Sequence, residues 1–342
     1  MARIHRDDDA DLAVLEGRTI GILGYGNQGR AQARNLRDSG VKVVVGNVDD
    51  PYRAQAVEDG FAVVPIAEAA READIVVLLV PDEVQPEVFD EQVAPHLAAG
   101  DALCFASGYN VHYGRIVPPA GVDVILVAPR MIGQAVRSLY RQGAGFPCLV
   151  AAHQDASGRA MATALALAKG IGATRFGAFE SSCEEETLID LFAEQMLWPG
   201  ILKLCLLYFE KLVAAGCDAE VVTTELYLSG EFVEIARAMI TEGFFEQLKL
   251  HSHTSQYGQL SRADRMAPPE LREVIDGAMA EIRDGTFARE WAAEQEEHLP
   301  TLRRLWDEAL EHPMGHSERR LEPLRRRMAA WLGQSTDEAA SG

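Results

Sequence analysis

Asp190 and Glu194 lie four residues apart in the stretch EEETLIDLFAEQMLWPG, which runs from Glu184 to Gly200. Residues at i and i+4 share one face of a helix, and here the neighbours are Leu188, Ile189, Leu191, Phe192, Met196, Leu197 and Trp198. An ionised carboxylate in such surroundings is costly unless something compensates it. Two adjacent carboxylates call for a cation. Oxygen-only ligation suits Mg2+, which keeps water or substrate oxygens in its remaining positions. The plainer alternatives are a polar rim on an amphipathic helix or pairing with arginine. No His or Cys stands at ligand spacing on that face, which speaks against zinc. The next helical stretch, ELYLSGEFVEIARAMI, offers Glu231 and Glu234 as further ligands.

Other stretches carry side chains with less specific chemistry. KLHSHTSQYGQL places His251, Ser252, His253 and Thr254 ahead of an aromatic-glycine turn, where loop histidines are more often surface residues than ligands. FASGYNVHYG sets Ser107, Tyr109 and His112 directly after an apolar run. TIGILGYGNQGRAQARNL supplies Gly24, Gly26 and Gly29 in G-x-G-x-x-G spacing after one apolar run and at the start of a helical pattern. The first glycine permits the tight turn, the second lets backbone approach a pyrophosphate, and the third allows close helix packing at the positive end of the helix. Just past the following apolar run, GNVDDPYR offers Asn47, Asp49 and Asp50. An acid there accepts from the ribose 2′-hydroxyl of NADH and repels the 2′-phosphate of NADPH, although Arg53 lies close by. NADH is the expected cofactor, with NADPH as the alternative. LLVPDEVQPEVF places Pro81, Asp82 and Gln85 at the end of a further run, as cofactor contacts or as a strand stop and helix cap.

These groups need a frame. From Arg18 to about Val150, short apolar runs (TIGILG, VKVVVGN, FAVVP, DIVVLLVP, ALCFASG, DVILVAP, CLVAAH) alternate with helical patterns. Continuous Val, Ile and Leu runs are the mark of strands covered on both faces. A doubly wound, Rossmann-like α/β domain follows, spanning residues 1–182. Strand signals then cease, and helical periodicity predicts an all-helical domain over 183–332. The tail 333–342, GQSTDEAASG, is small, polar and expected to be disordered.

Composition excludes several classes. The 342 residues are 48% hydrophobic, and 52 acidic against 32 basic residues leave a formal charge of −20, which opposes binding to phosphate backbones and anionic membranes. The basic clusters LRRLW and RRLEPLRRRM are interleaved with Glu and Leu at helical spacing and read as solvated or oligomer-facing helices. The 5 cysteines are odd in number and scattered, as small core residues in a reducing compartment would be. The amino terminus lacks an apolar signal core and no run suits a bilayer span, so a cytoplasmic location is expected.

GYGNQGRAQARNLRDSGVKVVVG, LLVPDEVQ, GYNVHYGRIVPP, VDVILVAP, HQDASGRA, AKGIGATR, EEETLIDLFAEQ and GTFAREW follow one another in an order and spacing that resembles short-chain ketol-acid reductoisomerase, from about Arg18 to Leu332. The resemblance implies a Rossmann domain, a knotted helical domain interlocked in a homodimer or higher oligomer, and an alkyl migration followed by hydride reduction of a 2-keto acid with NADPH or NADH and two Mg2+ ions. By position it makes Asp190 the metal-bridging carboxylate, Glu194 a ligand of the first metal and Glu231 a ligand of the second, donated across the dimer. Ser252 would touch substrate, and Tyr25, Gly26, Asn27, Gln28, Asp82 to Gln85 and Gly133 would contact the cofactor. Four departures stand out: Ser107 where the family has histidine in HGFNIHFG, Arg130 for lysine in APKGPG, Tyr227 for a carboxylate one turn before Glu231, and Gln256 for another acid. Arginine keeps lysine's charge but not its compactness, and serine does not titrate near neutrality. Loss of a carboxylate weakens the second Mg2+ site. The expectation is therefore a reductase of a small carbonyl or imine substrate, without the alkyl shift, in which Ser107, Arg130 and Ser252 shape the pocket. The alternatives are a genuine ketol-acid reductoisomerase of valine and isoleucine synthesis and a non-catalytic dinucleotide-binding protein.

Overall fold

The computed structural model describes residues 2–331, so the tail 333–342 lies outside the described residues. Cα packing divides the chain into two compact units, Met1–Asp190 and Leu191–Gly342.

The first unit is built on a nine-stranded sheet. Its strands are β1 (Ile4–His5), β2 (Thr19–Leu23), β3 (Lys42–Gly46), β4 (Val63–Val64), β5 (Ile75–Leu78), β6 (Ala102–Phe105), β7 (Asp123–Pro129), β8 (Pro147–Gln154) and β9 (Gly177–Glu180). They lie in the order β1-β9-β8-β7-β6-β5-β2-β3-β4. From β4 to β7 every pairing is parallel; β8 runs antiparallel to β7, and β1 antiparallel to β9. The connecting helices are α1 (Asn27–Asp38), α2 (Pro51–Glu58), α3 (Ile66–Glu72), α4 (Gln85–Val88), α5 (Tyr109–His112), α6 (Gly133–Gln142), α7 (Ala160–Ile171) and α8 (Cys183–Phe192).

All seven apolar runs of the sequence are strands. Their residues alternate between two cores, as a period of two on a sheet covered on both faces requires. Ile75, Val77 and Cys104 enter one core; Val76, Leu78, Leu103 and Phe105 enter the other. Cys104, Cys148 and Cys183 are buried free thiols, as expected, whereas Cys217 is exposed in the single chain. Strands β1 and β9 carry no such run, and the sequence gives no sign of them. The order reverses at β2, between β3 and β5, and sheets of this kind take ligands outside the carboxyl ends of the strands at such a reversal.

The second unit is helical: α9 (Trp198–Ala214), α10 (Ala219–Thr223), α11 (Glu231–Thr241), α12 (His253–Arg262), α13 (Pro269–Arg283), α14 (Thr286–Glu296), α15 (Pro300–Glu311), α16 (Pro313–Arg320) and α17 (Glu322–Trp331). Thr223 Oγ1 donates to Ser317 Oγ at 2.9 Å, tying α10 to α16, and the Phe209 and His312 rings meet at 6.0 Å. The basic clusters are solvated in the single chain, with Arg304 on Glu308 and Arg326 on Glu322, each at 2.6 Å.

Candidate active site

The glycine-rich turn has the form a dinucleotide needs. Gly24 adopts φ +98°, and a Cβ there would stand 2.8 Å from the Leu79 backbone; a Cβ on Gly29 would meet the Gly24 carbonyl oxygen at 1.9 Å. Neither position admits a side chain. Gly26 has nothing within 4 Å of where its Cβ would be, and it caps α1 without any side-chain hydrogen bond. The first-turn N–H groups of this twelve-residue helix thus receive no side-chain cap from Gly26, as an anion site at a helix start requires.

Several residues expected to contact cofactor have side chains that build the turn itself. The Tyr25 ring is fully buried, packed edge-on to Phe61 at 5.7 Å. Its hydroxyl donates to Asp59 at 2.9 Å, and its N–H donates to Asn47 Oδ1 at 2.9 Å. Its burial and these two hydrogen bonds anchor the loop. Asn47 also donates to Asp50 at 2.7 Å, and Asp50 caps α2 by accepting from the Arg53 N–H at 3.0 Å. Asp49 is the exposed acid of this stretch. Arg53 is tied to the Asn47 carbonyl at 3.1 Å. Gln28 donates to the Met131 carbonyl at 2.8 Å, and a Cβ on Gly133 would collide with the Asn27 carbonyl oxygen at 2.0 Å. Asn27, Gln28 and Gly133 therefore join the turn to the start of α6.

At the carboxyl ends of β5, β6 and β7 a second group of side chains converges. Gln85 is buried and donates to the Val80 carbonyl and to Asp82 Oδ1, both at 2.9 Å. Asn110, which sequence reasoning passed over, is buried beside it and donates to the Asp82 carbonyl at 2.9 Å. Pro81 is exposed. Burial, followed by the charges of Glu83 and Asp190, pushes the Asp82 carboxyl up to about 6. Ser107, just past β6, accepts from the Tyr109 N–H at 3.3 Å.

The buried carboxylate of α8 is Glu186, a residue the sequence reading overlooked. Its side chain is 1% exposed against 39% for Asp190, and Glu194 is exposed in the single chain. The expectation of an apolar, buried setting for Asp190 and Glu194 is thus corrected. Glu186 is one turn upstream, on the side of α8 that presses against the loop after β6, so close that a Cβ on Gly108 would stand 2.4 Å from the Cys183 carbonyl oxygen. The Gly108 N–H donates to Glu186 Oε2 at 2.7 Å. Arg130, at the end of β7, donates from Nη1 to Glu186 Oε1 at 2.9 Å and from Nη2 to Asp190 Oδ1. Burial raises the Glu186 carboxyl to about 7, with the Gly108 N–H and Arg130 opposing and the charges of Asp190 and Asp82 adding. Burial also works against the charge of Arg130, but Asp190 and Glu186 more than offset it and hold the guanidinium protonated. The arginine pairing weighed from sequence is what the structure shows at Asp190.

Within the helical unit, α8 has given way to a π-helical turn over Ala193–Leu197, so Glu194 does not continue the α-helical spacing from Asp190. A second π turn covers Thr224–Leu228. Tyr227 in that turn is half-buried and donates to Glu318 Oε1 at 2.7 Å; burial, then Glu318, pushes its phenol well up. Glu225, Ser229, Glu231 and Glu234 are exposed. The tyrosine therefore belongs to the packing of this unit, and the π turn exposes Glu225 as a carboxylate beyond those named from sequence. Ser252 caps α12, accepting from the Ser255 N–H at 3.3 Å. Gln256 braces the same turn through the His251 carbonyl at 2.7 Å. His253 and Thr254 are exposed, and His112 packs on the Tyr113 ring at 4.8 Å. Among the described residues no group of three His, Cys, Asp or Glu forms a metal cage.

An open, uncapped helix start above a parallel sheet, with charged side chains gathered at the same edge, defines a dinucleotide-dependent oxidoreductase of the NAD(P)H class. Residues 14–177 match the acetohydroxy acid isomeroreductase NADPH-binding domain, and residues 183–327 match the ketol-acid reductoisomerase C-terminal domain. The chain belongs to the ketol-acid reductoisomerase family. It is 44% identical over 326 residues to the putative ketol-acid reductoisomerase 3 of Saccharolobus solfataricus, covering 93% of this chain and 97% of that one. It is 45% identical over 327 residues to the ketol-acid reductoisomerase (NADP(+)) of Methanopyrus kandleri, covering 95% and 98%. Among solved structures, an NADH-preferring ketol-acid reductoisomerase from an uncultured archaeon superposes with a TM-score of 0.89 at 38% identity, covering 94% of this chain and 99% of that one. A semialdehyde dehydrogenase NAD-binding protein from Cupriavidus necator, at 16% identity and TM-score 0.58, shares the fold alone.

Proposed function

We propose that the chain is a genuine ketol-acid reductoisomerase, carrying out the alkyl shift as well as the hydride transfer, with NADH preferred and Mg2+ required. The observation that carries this reading is the placement of Tyr227. Its substitution for a carboxylate was the ground for a lost metal ligand and a reduction-only enzyme, yet its hydroxyl is engaged by Glu318 while Glu225 and Glu231 remain exposed. Near-full-length relatives at 44% and 45% identity that carry the reductoisomerase name support the same reading.

The donor set fits Mg2+, being all oxygen and, among the described residues, incomplete within one chain, as suits an ion that keeps water and substrate oxygens. Asp190 and Glu194 would supply one part, and Glu225 and Glu231 of a second copy the other. Bound Mg2+ supplies Lewis acidity toward the adjacent oxygens of the substrate. The backbone at Gly26 and the start of α1 would hold the pyrophosphate, and Asp49 would accept from the ribose 2′-hydroxyl. Arg130 would meet negative charge on the substrate, Ser107 would line the pocket, and Ser252, whose oxygen already accepts from its own helix, keeps a proton to donate. The exposed apolar side chains of the helical unit, Trp198, Phe244, Phe245 and Trp306 among them, support a homodimer, for which the interlocked, knotted form is proposed. Free cysteines and no helix, among the described residues, long and apolar enough to cross a membrane accord with a cytoplasmic enzyme.

The reduction-only reading is kept because Arg130 holds Asp190. The two are separated by following NADH oxidation, with Mg2+ present, on 2-acetolactate and on the already rearranged 3-hydroxy-2-keto acid. Turnover of both is expected. Turnover of the rearranged acid alone would replace this proposal with the reductase.

A further inference from the structure

The guanidinium of Arg130 is shared. Nη1 donates to Glu186 at 2.9 Å, and Nη2 donates to Asp190. The two carboxylates differ in setting: Glu186 is buried and held by the Gly108 N–H at 2.7 Å, whereas Asp190 is 39% exposed. One half of the fork is therefore fixed and the other is reachable from solvent. We propose that Arg130 is the resident counter-ion of Asp190 and that a divalent cation binds there by displacing Nη2, while Nη1 stays on Glu186. This rests on the proposed role of Asp190 as a metal ligand.

The physical reasons are these. Asp190 Oδ1 cannot accept from a guanidinium and ligate a cation along the same lone pair, and two cations at one carboxylate repel each other. A charge-assisted hydrogen bond must be given up for the ion to enter. Planar guanidinium geometry lets the fork release one donor while the other keeps its bond to Glu186. Glu186 then keeps its partner and no buried carboxylate is stranded. The freed Nη2 is left beside the ion's site as a donor for an anionic oxygen. By linkage, an anionic substrate that engages Nη2 and the divalent cation each tighten the binding of the other.

Mn2+ serves as the probe, titrated into the full-length protein without nucleotide and followed by its EPR signal. R130M should bind Mn2+ about tenfold more tightly than the unaltered protein. R137M removes an arginine engaged instead with Asn35 and Asp38, and it should leave the affinity unchanged. Equal or weaker binding by R130M, or equal tightening by R137M, overturns the proposal. Should R130M not fold, R130K takes its place and should tighten binding several-fold; unchanged binding overturns the proposal. D190N tests the underlying reading separately: it should abolish Mn2+ binding, and retained binding would remove Asp190 from the metal site whatever Arg130 does.

Discussion

Three glycines two to five positions apart do different work, and substitution separates them. G26A places a methyl in open space at the helix start, so the fold is expected to keep its melting temperature while KM for NADH rises at least about tenfold, because the methyl occupies the room of a pyrophosphate. G29A drives a methyl to 1.9 Å from a carbonyl oxygen, so it is expected to cost roughly 1–3 kcal/mol of stability, read by denaturant unfolding. Glu186 gives a pH signature. Its carboxyl, raised from 4.5 to about 7 in the fold, binds its proton more tightly when folded than when unfolded. Its contribution is therefore most favourable below about pH 4.5 and is lost as pH rises toward 7. In metal-free protein, the fall in stability between pH 5 and 8 should be smaller in E186Q by up to roughly 3 kcal/mol. Equal slopes would show that Glu186 is ionised alike in both states.

Elements carry their own strain and their own legibility. His298 and Leu299 both adopt φ of +63° between α14 and α15, a conformation unfavourable for residues with a Cβ. His298 is exposed, so H298G is expected to stabilise the protein by about 0.5–1 kcal/mol in denaturant titration, with activity unchanged. The strands of the central sheet were legible because burial on both faces demands unbroken apolar runs. The two-residue β1 and the sequence GAFE of β9 offer no such run, and they exist because neighbouring strands supply hydrogen-bond partners. The π turns at Ala193–Leu197 and Thr224–Leu228 were equally hidden. The family resemblance set Tyr227 where a metal-binding carboxylate would stand and left Glu225 unremarked.

For the whole molecule, the helical unit leaves Trp198, Ile240, Phe245 and Leu250 exposed at 59%, 86%, 73% and 70% in the single chain. Such side chains together exceed what a monomer normally shows to water. Sedimentation should give a dimer or larger at micromolar concentration, with a melting temperature that rises with protein concentration; a concentration-independent monomer would contradict the shared site.

What the sequence determined by itself was what local pattern encodes: the strand runs, the G-x-G-x-x-G turn, the change to helical period, and carboxylates spaced along a helix. Each depends on residues near one another in the chain, where periodicity and turn chemistry act directly. Tertiary structure alone decided which of those side chains are buried, paired or left exposed. It turned Tyr25 into the core and Tyr227 onto Glu318. It also brought Gly108 and Arg130 to Glu186 across sequence separations of 78 and 56 residues. Burial and charge pairing depend on what distant segments place beside a group, and a linear pattern does not contain that information.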